Sequence, residues 1–382
     1  MKENAVIVRY SEVAVKGPAS RSRMERLLVS NLEEALSRRG VAGRVQRLPG
    51  RIVVWDPGDA MEAARAASTV FGVKSVSPAH ATSFETLEDI VAEGVRFFAE
   101  RVRGKRFRVT ARRAGSHDFT SLDVERTLGA ALVEAGAGPV DLTSPEYIAY
   151  VEIRDRTVFY YDTIVEGPGG LPLGSEEPTL VLYSGGFDST AAWWLVWRRG
   201  SPADAVFFDV GVEEARRNAI EAARILAEKW GHGHKPRLYI VDFTHAAMVV
   251  GSTVRPRYRT LVVRRLMLEE AARLALEEGY EALVTGESIG QVATQTVRNL
   301  RLIGAKLPLP VIRPVSGMDK DDVVALVRRI GLYDIVSRQV EACRVQVNPT
   351  PRGDPRVFEE ELEKVKGRYK TVVSSVLELR GG

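Results

Sequence analysis

From residue 179 onward, short apolar segments alternate with longer amphipathic segments, and this alternation restricts the possible folds more than any other feature. The apolar segments predict strands at 179–183, 205–210, 237–241, 282–285 and 311–312. The amphipathic segments predict helices near 188–199, 213–230, 257–278, 289–302 and 319–331. Strands that alternate with helices in this way are typical of an α/β domain with a doubly wound parallel sheet. Such sheets bind ligands beyond the carboxyl ends of their strands.

The first 165 residues have a different texture, in which helices and strands are mixed. Strands at 5–10, 45–48 and 52–55 surround a helix at 21–38, and residues 60–165 continue in the same α+β style. A stretch rich in glycine and proline, 164–178, separates the two textures. We therefore expect domains at 1–60, 61–165 and 166–382.

Composition narrows the class of protein. The single cysteine, Cys343, excludes an internal disulfide framework and any site that needs several cysteines. The start of the chain has no secretory signal and no apolar stretch is long enough to span a bilayer, so we expect a cytoplasmic protein without membrane contact. A net charge of +4 is too small to establish a nucleic-acid partner.

A glycine-rich loop follows the first strand of the α/β part, reading Ser184-Gly185-Gly186-Phe187-Asp188-Ser189-Thr190. Glycines permit close approach of the backbone, and the N–H groups at a helix start bind anions. Asp188 would repel a phosphate unless Mg²⁺ lies between them. The alternative is an ordinary strand–turn–helix with a Ser/Asp cap. The loop resembles the SGGxDS signature of PP-loop ATP pyrophosphatases, which cleave ATP between the α and β phosphates.

A second block, residues 283–301, follows another predicted strand and begins Leu-Val-Thr-Gly-Glu-Ser. Within it, Gln291 and Gln295 are four residues apart, so a helix here would place both on one face. One interpretation is that these two side-chain amides form hydrogen bonds with a base or a ribose. The alternative is that they form only a polar helix face.

Several blocks in colinear order resemble tRNA 4-thiouridine synthetases: 283–301, 167–174, 11–17, and the THUMP-like segments 107–131 and 142–153. The resemblance implies an N-terminal ferredoxin-like domain, a THUMP RNA-binding domain and a PP-loop domain. It implies that Mg-ATP is used to convert a tRNA uridine, at position eight, to 4-thiouridine. Some members of the family also supply sulfur for thiamine biosynthesis, and some form homodimers.

The resemblance also suggests site residues. The predicted ATP-binding residues are Leu182, Tyr183, Ser184, Gly185, Gly186, Ser189, Thr190, Phe207, Phe208, Arg264, Gly286 and Gln295. Asp188 is the predicted catalytic and metal-binding carboxylate. Phe207-Phe208 stands where His-Phe is commoner, and the alternative for this pair is a buried strand.

Cys343 matches a cysteine that acts in sulfur transfer in the same family, and the neighbouring Arg344 would favour its thiolate. The alternative is an inert buried cysteine. The chain ends at Gly382, so we expect neither a rhodanese-like domain nor a second cysteine. Sulfur would then come from an external donor, either sulfide or a persulfide carrier.

Basic residues are clustered rather than spread evenly. The predicted RNA-binding cluster contains Lys105, Arg106, Arg108, Arg112 and Arg113. Further arginines lie at 255, 257 and 259, and at 298 and 301. One such cluster is usually only a solvated surface, whereas several together favour contact with an RNA backbone.

Two alternatives to tRNA thiolation remain at this point. One is a tRNA-binding protein whose PP-loop is inactive. The other is a PP-loop adenylating enzyme with a non-RNA substrate, which would leave residues 1–165 without a role.

Overall fold

A computed structural model describes residues 2–340 and 348–380. The chain divides into two compact units, Met1–Leu171 and Pro172–Gly382. The predicted domain limits near residues 60 and 165 stay predictions. Across the part of the chain that is described, no helix has the length and apolar character needed to cross a membrane.

The N-terminal unit begins with a ferredoxin-like arrangement of six elements. They are β1 (Ala5–Tyr10), α1 (Pro18–Arg38), β2 (Arg44–Leu48), β3 (Arg51–Trp55), α2 (Ala60–Ala67) and β4 (Val73–Ser83). β1 lies between β3 and β4 and is antiparallel to both. Helices α1 and α2 cover one face through Leu28, Leu32 and Ala63, which are fully buried with Val6 and Val8. The expected α+β fold is confirmed here.

The second half of this unit continues the same sheet. Its elements are α3 (Leu87–Val102), β5 (Phe107–Ala114), α4 (Ser121–Glu134), β6 (Tyr147–Arg154), β7 (Thr157–Tyr161) and β8 (Val165–Glu166). Among the described residues the strand order is β2-β3-β1-β4-β7-β6-β5, with β8 beside β4. β4 is long because it pairs first with β1 and then with β7.

This sheet is strongly curved. The rings of Trp55 on β3 and Phe159 on β7 are 5.7 Å apart, although two strands lie between them in the sheet. Across the same concave face, Glu152 of β6 lies 2.7 Å from Arg51 of β3. Glu152 is fully buried and also pairs with Arg9 and Arg154.

The C-terminal unit is the expected α/β domain. Its elements are β9 (Thr179–Leu182), α5 (Phe187–Arg198), β10 (Ala203–Asp209), α6 (Glu213–Trp230), β11 (Arg237–Asp242), α7 (Thr244–Thr253), α8 (Arg259–Glu278), β12 (Ala282–Val284), α9 (Val297–Gly304), β13 (Val311–Ile312), α10 (Lys320–Arg329), α11 (Tyr333–Val336), α12 (Pro355–Glu363) and β14 (Val372–Glu378). Within the described residues the sheet order is β13-β12-β9-β10-β11-β14. The predicted strands are parallel, and β14, which was not predicted, adds an antiparallel edge.

The predicted helix at 289–302 is wrong in its first half. Residues Ala293–Gln295 form a short 3₁₀ turn, and α9 begins only at Val297. Gly290 has a φ of +79°, which is outside the helical region, and the Thr296 hydroxyl caps α9 by accepting the Asn299 N–H at 3.3 Å. Gln291 and Gln295 therefore do not share a helix face.

Candidate active site

The glycine-rich loop joins β9 to α5. Gly185 has a φ of +79°, and a Cβ at this position would lie 2.9 Å from the Ala219 Cα. Gly186 is the N-cap of α5, whose first N–H groups have no partner within the helix. The Ser184 and Ser189 hydroxyls belong to the same loop and helix start, and their oxygens lie 3.1 Å apart. The loop therefore presents backbone and hydroxyl donors of the kind that bind a phosphate.

The loop opens onto a cavity of about 650 Å³ at the carboxyl ends of β9, β10 and β12. Most of the predicted ATP-binding residues line it: Leu182, Tyr183, Ser184, Gly186, Ser189, Phe207, Phe208, Arg264, Gly286 and Gln295. Gly185 and Thr190 are not among the lining residues; Thr190 is fully buried behind the loop. The structure thus brings together residues that are more than 100 positions apart in the sequence.

One part of the cavity lining is apolar. Phe207 and Phe208 lie near the carboxyl end of β10 and are 4% and 9% exposed, and they line the cavity with Met267 and Leu268. Both phenylalanines are therefore buried strand residues that also line the cavity, and their contact with ATP stays a prediction. The neighbouring Tyr183 is also buried, and burial raises the pKa of its hydroxyl. This part of the lining suits a flat, uncharged group.

Another part of the cavity lining carries charge. Asp188, in the first turn of α5, lies 3.0 and 3.1 Å from the Lys320 ammonium through its two carboxylate oxygens. The amide of Gln291 donates to the same carboxylate at 3.2 Å. Sequence reasoning did not identify Lys320, because this lysine begins α10 with no motif around it, 132 residues after Asp188.

A buried carboxylate, Glu287, organises part of the cavity wall next to the loop. Glu287 is 5% exposed and accepts hydrogen bonds from Arg264 at 2.7 Å and from Arg313 at 2.8 Å. The Thr285 hydroxyl donates to it at 3.0 Å. Glu287 thus fixes Arg264, one of the cavity-lining cations. Its position directly after β12, within the block 283–301, was the available signal, but sequence reasoning did not assign it to the site.

Two contacts fasten neighbouring segments to the loop. A Cβ on Gly286 would lie 2.5 Å from the Asp188 carbonyl carbon, so the end of β12 and the start of α5 touch through their backbones. The Gln339 amide donates to the carbonyl oxygens of Ser184 and Ala215. Val340, where the described part of this segment ends, also lines the cavity, and Cys343 lies outside the described residues.

The predicted RNA-binding residues lie on and beside β5, in the N-terminal unit. Arg106 pairs with Asp141 and Glu146. Arg108 donates to the Leu142 carbonyl oxygen and Arg113 to that of Gly115, whereas Arg112 is exposed. The Lys105 ammonium lies 5.5 Å from the centre of the Tyr147 ring. Part of the positive charge of this cluster is therefore neutralised locally.

Comparisons with known proteins cover most of the chain. Residues 174–370 match the family model described as "Thiamine biosynthesis protein (ThiI)". Residues 5–77 match the ThiI ferredoxin-like domain, and residues 84–161 match the THUMP domain.

Individual proteins give the same result. The chain is 59% identical to a probable tRNA sulfurtransferase of Aeropyrum pernix, over 96% of this chain and 93% of the relative. It is 37% identical to a tRNA sulfurtransferase of Thermoplasma acidophilum, over 94% of this chain and 73% of the relative. The fold matches a crystal structure of a 4-thiouridine synthetase–RNA complex with bound ATP. That match has a TM-score of 0.82 and 30% identity, and it covers 95% of each chain. With a family model over half of its length and a relative this similar along nearly all of it, the chain belongs to the ThiI family.

Proposed function

We propose that this protein is an ATP-dependent tRNA sulfurtransferase that converts a uridine, at position eight of tRNA, to 4-thiouridine. The observation that carries the proposal is the cavity itself. Its lining combines a glycine-rich loop and a helix start with a pair of aromatic side chains, Phe207 and Phe208. A nucleoside fits the aromatic pair, and its phosphates fit the loop. The related 4-thiouridine synthetase, which binds ATP and RNA, shares this fold along 95% of its length.

ATP would bind with its base against Phe207 and Phe208 and its phosphates on residues 184–190. Arg264, held by Glu287 at 2.7 Å, would place a fixed positive charge beside the nucleotide. Donors that are already in position lose little energy to reorganisation when charge develops on the α-phosphate.

The residues around Asp188 fit Mg²⁺. Mg²⁺ is commonly held by one or two carboxylates together with substrate phosphates. Among the described residues, no cluster of three metal-binding side chains exists, so Asp188 and the ATP phosphates would be its ligands. Lys320 already sits across both oxygens of this carboxylate, which indicates that the carboxylate is oriented to hold a cation. Bound Mg²⁺ would neutralise phosphate charge.

The reaction would have two steps. The uridine O4 attacks the α-phosphorus of ATP, the bond to the bridging oxygen breaks, and pyrophosphate leaves. A sulfur nucleophile then attacks C4 of the adenylated base, and AMP leaves. With sulfide this step needs no redox partner. With a persulfide on Cys343, an external thiol must reduce the resulting disulfide to release the product.

Cys343 is proposed as the residue that carries sulfur. Val340 lines the cavity, and three residues of chain reach at most about 11 Å. We expect Cys343→Ser to stop turnover with a persulfide donor while tRNA-dependent AMP formation continues. Normal thiolation by this variant with a persulfide donor would show that the cysteine is not needed.

The proposed partners are tRNA and an external sulfur donor, with a homodimer and a cytoplasmic location as further proposals. The RNA-binding residues proposed in the N-terminal unit are Lys105, Arg106, Arg108, Arg112 and Arg113. Of these, Lys105, Arg106 and Arg112 are exposed and accessible to a phosphate.

The test is to incubate the protein with Mg-ATP, unmodified tRNA and sulfide, and to analyse the digested tRNA by mass spectrometry. We expect 4-thiouridine that depends on ATP. Release of AMP without thiolation would support adenylation and indicate that another donor is needed. If folded protein binds tRNA but forms neither product, the PP-loop is inactive. Asp188→Ala should abolish AMP formation while tRNA binding remains.

A further inference from the structure

Four arginines form an exposed surface beside the cavity of the C-terminal unit, and we propose that this arginine surface binds RNA phosphates next to the uridine being modified. The residues are Arg257, Arg298, Arg301 and Arg352. The inference rests on the proposed function, and it adds a second region of RNA contact to the basic residues of the N-terminal unit.

The arginines come from three segments that the fold joins. The Thr350 N–H donates to the Arg257 carbonyl oxygen at 3.1 Å, which places the segment with Arg352 beside Arg257. The Arg298 Nε donates to the Gly353 carbonyl oxygen at 2.8 Å. Arg301 follows Arg298 by three residues on α9, so both lie on one side of that helix.

A fully buried asparagine holds these segments together. The Asn299 amide donates to the carbonyl oxygens of Ala293 at 2.8 Å and Thr350 at 2.9 Å, and its oxygen accepts the Gly353 N–H at 3.0 Å. The Thr296 hydroxyl adds a bond to the Pro351 carbonyl oxygen at 2.9 Å. Because both hydrogen-bonding ends of the Asn299 side chain are used, the backbone beneath the arginines is fixed before RNA arrives.

The charge of this surface is not neutralised locally. Within the described residues, none of the four arginines forms an ion pair, whereas the nearby Arg255 pairs with Glu360 and Glu361. The carboxylate of Asp354 is turned to the start of α12, where it accepts the Arg356 and Val357 N–H groups. Exposed guanidinium groups without acidic partners are the groups that bind a phosphate backbone.

The arginine surface is connected to the cavity by a short segment of chain. Gln295 lines the cavity, and Val297, two residues later, is 65% exposed. Ile289 and Val292, on either side of Gln291, are 54% and 49% exposed. An apolar rim with arginines behind it suits a nucleotide drawn out of its stack, with the base on the rim and the flanking phosphates on the arginines.

The test compares two triple variants of the full-length protein. Arg257→Gln/Arg301→Gln/Arg352→Gln removes three charges from the arginine surface and keeps Arg298, whose side chain bonds Gly353. Arg224→Gln/Arg329→Gln/Arg368→Gln removes three exposed charges elsewhere in the same unit. The measurements are kcat/KM for tRNA and direct tRNA binding, each from 50 to 400 mM salt, together with ATP binding.

We expect the first variant to lose at least about 10-fold in tRNA binding at low salt. The slope of log affinity against log salt should become shallower by about 2 to 3. ATP binding should be unchanged, and the control variant should behave like the wild type. Equal salt slopes for both variants would overturn the proposal. Direct binding separates the two claims, because a wild-type protein that binds tRNA without thiolating it would contradict the proposed function alone.

Discussion

The contact between Gly286 and the glycine-rich loop allows a sharp test of the site geometry. A Cβ on Gly286 would lie 2.5 Å from the Asp188 carbonyl carbon and 2.6 Å from the Ser189 nitrogen. Unstrained contacts between such atoms are about 3.5–4.0 Å. In Gly286→Ala, the start of α5 must therefore move away from β12 by about 1 Å, and both contacting atoms belong to the backbone, which cannot rotate aside.

The expected consequence is a large loss of catalysis in a protein that still folds. Overpacking of this kind costs about 1–3 kcal/mol of stability, which a domain of ordinary stability tolerates. A misplacement of about 1 Å in a catalytic group lowers the rate on the order of 100-fold, equivalent to about 2.7 kcal/mol in the activation free energy. We therefore expect tRNA-dependent AMP formation to fall by about 100-fold.

The assay is AMP release under saturating Mg-ATP and tRNA, with circular dichroism to confirm that the variant is folded. Gly317→Ala is the matched control, because a Cβ on Gly317 meets no atom within 4 Å. If folded Gly286→Ala forms AMP within about threefold of the control, the geometry of the loop does not limit catalysis and the reasoning is refuted.

Three further predictions concern charged groups. Lys320→Ala removes the cation that contacts Asp188 at 3.0 Å. We expect AMP formation to fall by at least about 10-fold while the affinity for tRNA stays the same. An unchanged rate of AMP formation would show that Lys320 takes no part in the reaction. Glu287→Gln removes the charge that holds Arg264. Loss of one charge-assisted hydrogen bond costs about 1.5 kcal/mol, which should raise the KM for ATP about 10-fold. The same KM for ATP in the variant and the wild type would contradict this prediction. Burial raises the pKa of Glu152, but its three arginine neighbours outweigh burial, so the pKa lies below the usual value. The contribution of the ionised Glu152 carboxylate to the free energy of unfolding is therefore present above about pH 4.5 and is lost as the pH falls through the lower pKa of the folded protein. Glu152→Gln should consequently reduce the melting temperature at pH 7 and make the melting temperature fall less steeply on acidification. Parallel melting curves for the two proteins between pH 3 and 7 would rule out this role.

Elements with a regular apolar period could be predicted from the sequence. Strand β1 and helix α6 have the bounds that the pattern predicts, because β1 is a short run that is buried throughout and α6 buries one regular face. Strand β14 was missed because its partner, β11, lies about 130 residues earlier, and its own side chains are mostly exposed. No local sequence pattern can predict the pairing of two strands that are so far apart in the chain.

Some residues of the candidate site could likewise be predicted from the sequence, and others could not. The glycine-rich loop and Gly286 could be found because their chemistry needs particular residues in consecutive positions. Lys320 and Gln339 could not, because each reaches the loop as a single side chain from a distant segment. Their roles depend on where α10 and α11 pack, which local sequence does not specify.

The incorrect helix at 289–302 carries a functional meaning. A helix there would have turned Gln291 and Gln295 to one side, four residues apart. In the structure, Gln291 contacts Asp188 while Gln295 is buried in the cavity wall, so one short segment supplies both a contact to the charged Asp188 and a buried part of the lining. Backbone that leaves the helix must satisfy its carbonyl groups in another way. Asn299 does this for Ala293, and with the same amide it fixes Thr350. The irregular segment is therefore held by a side chain inside the following helix, and the same bonds place the arginine surface next to the cavity.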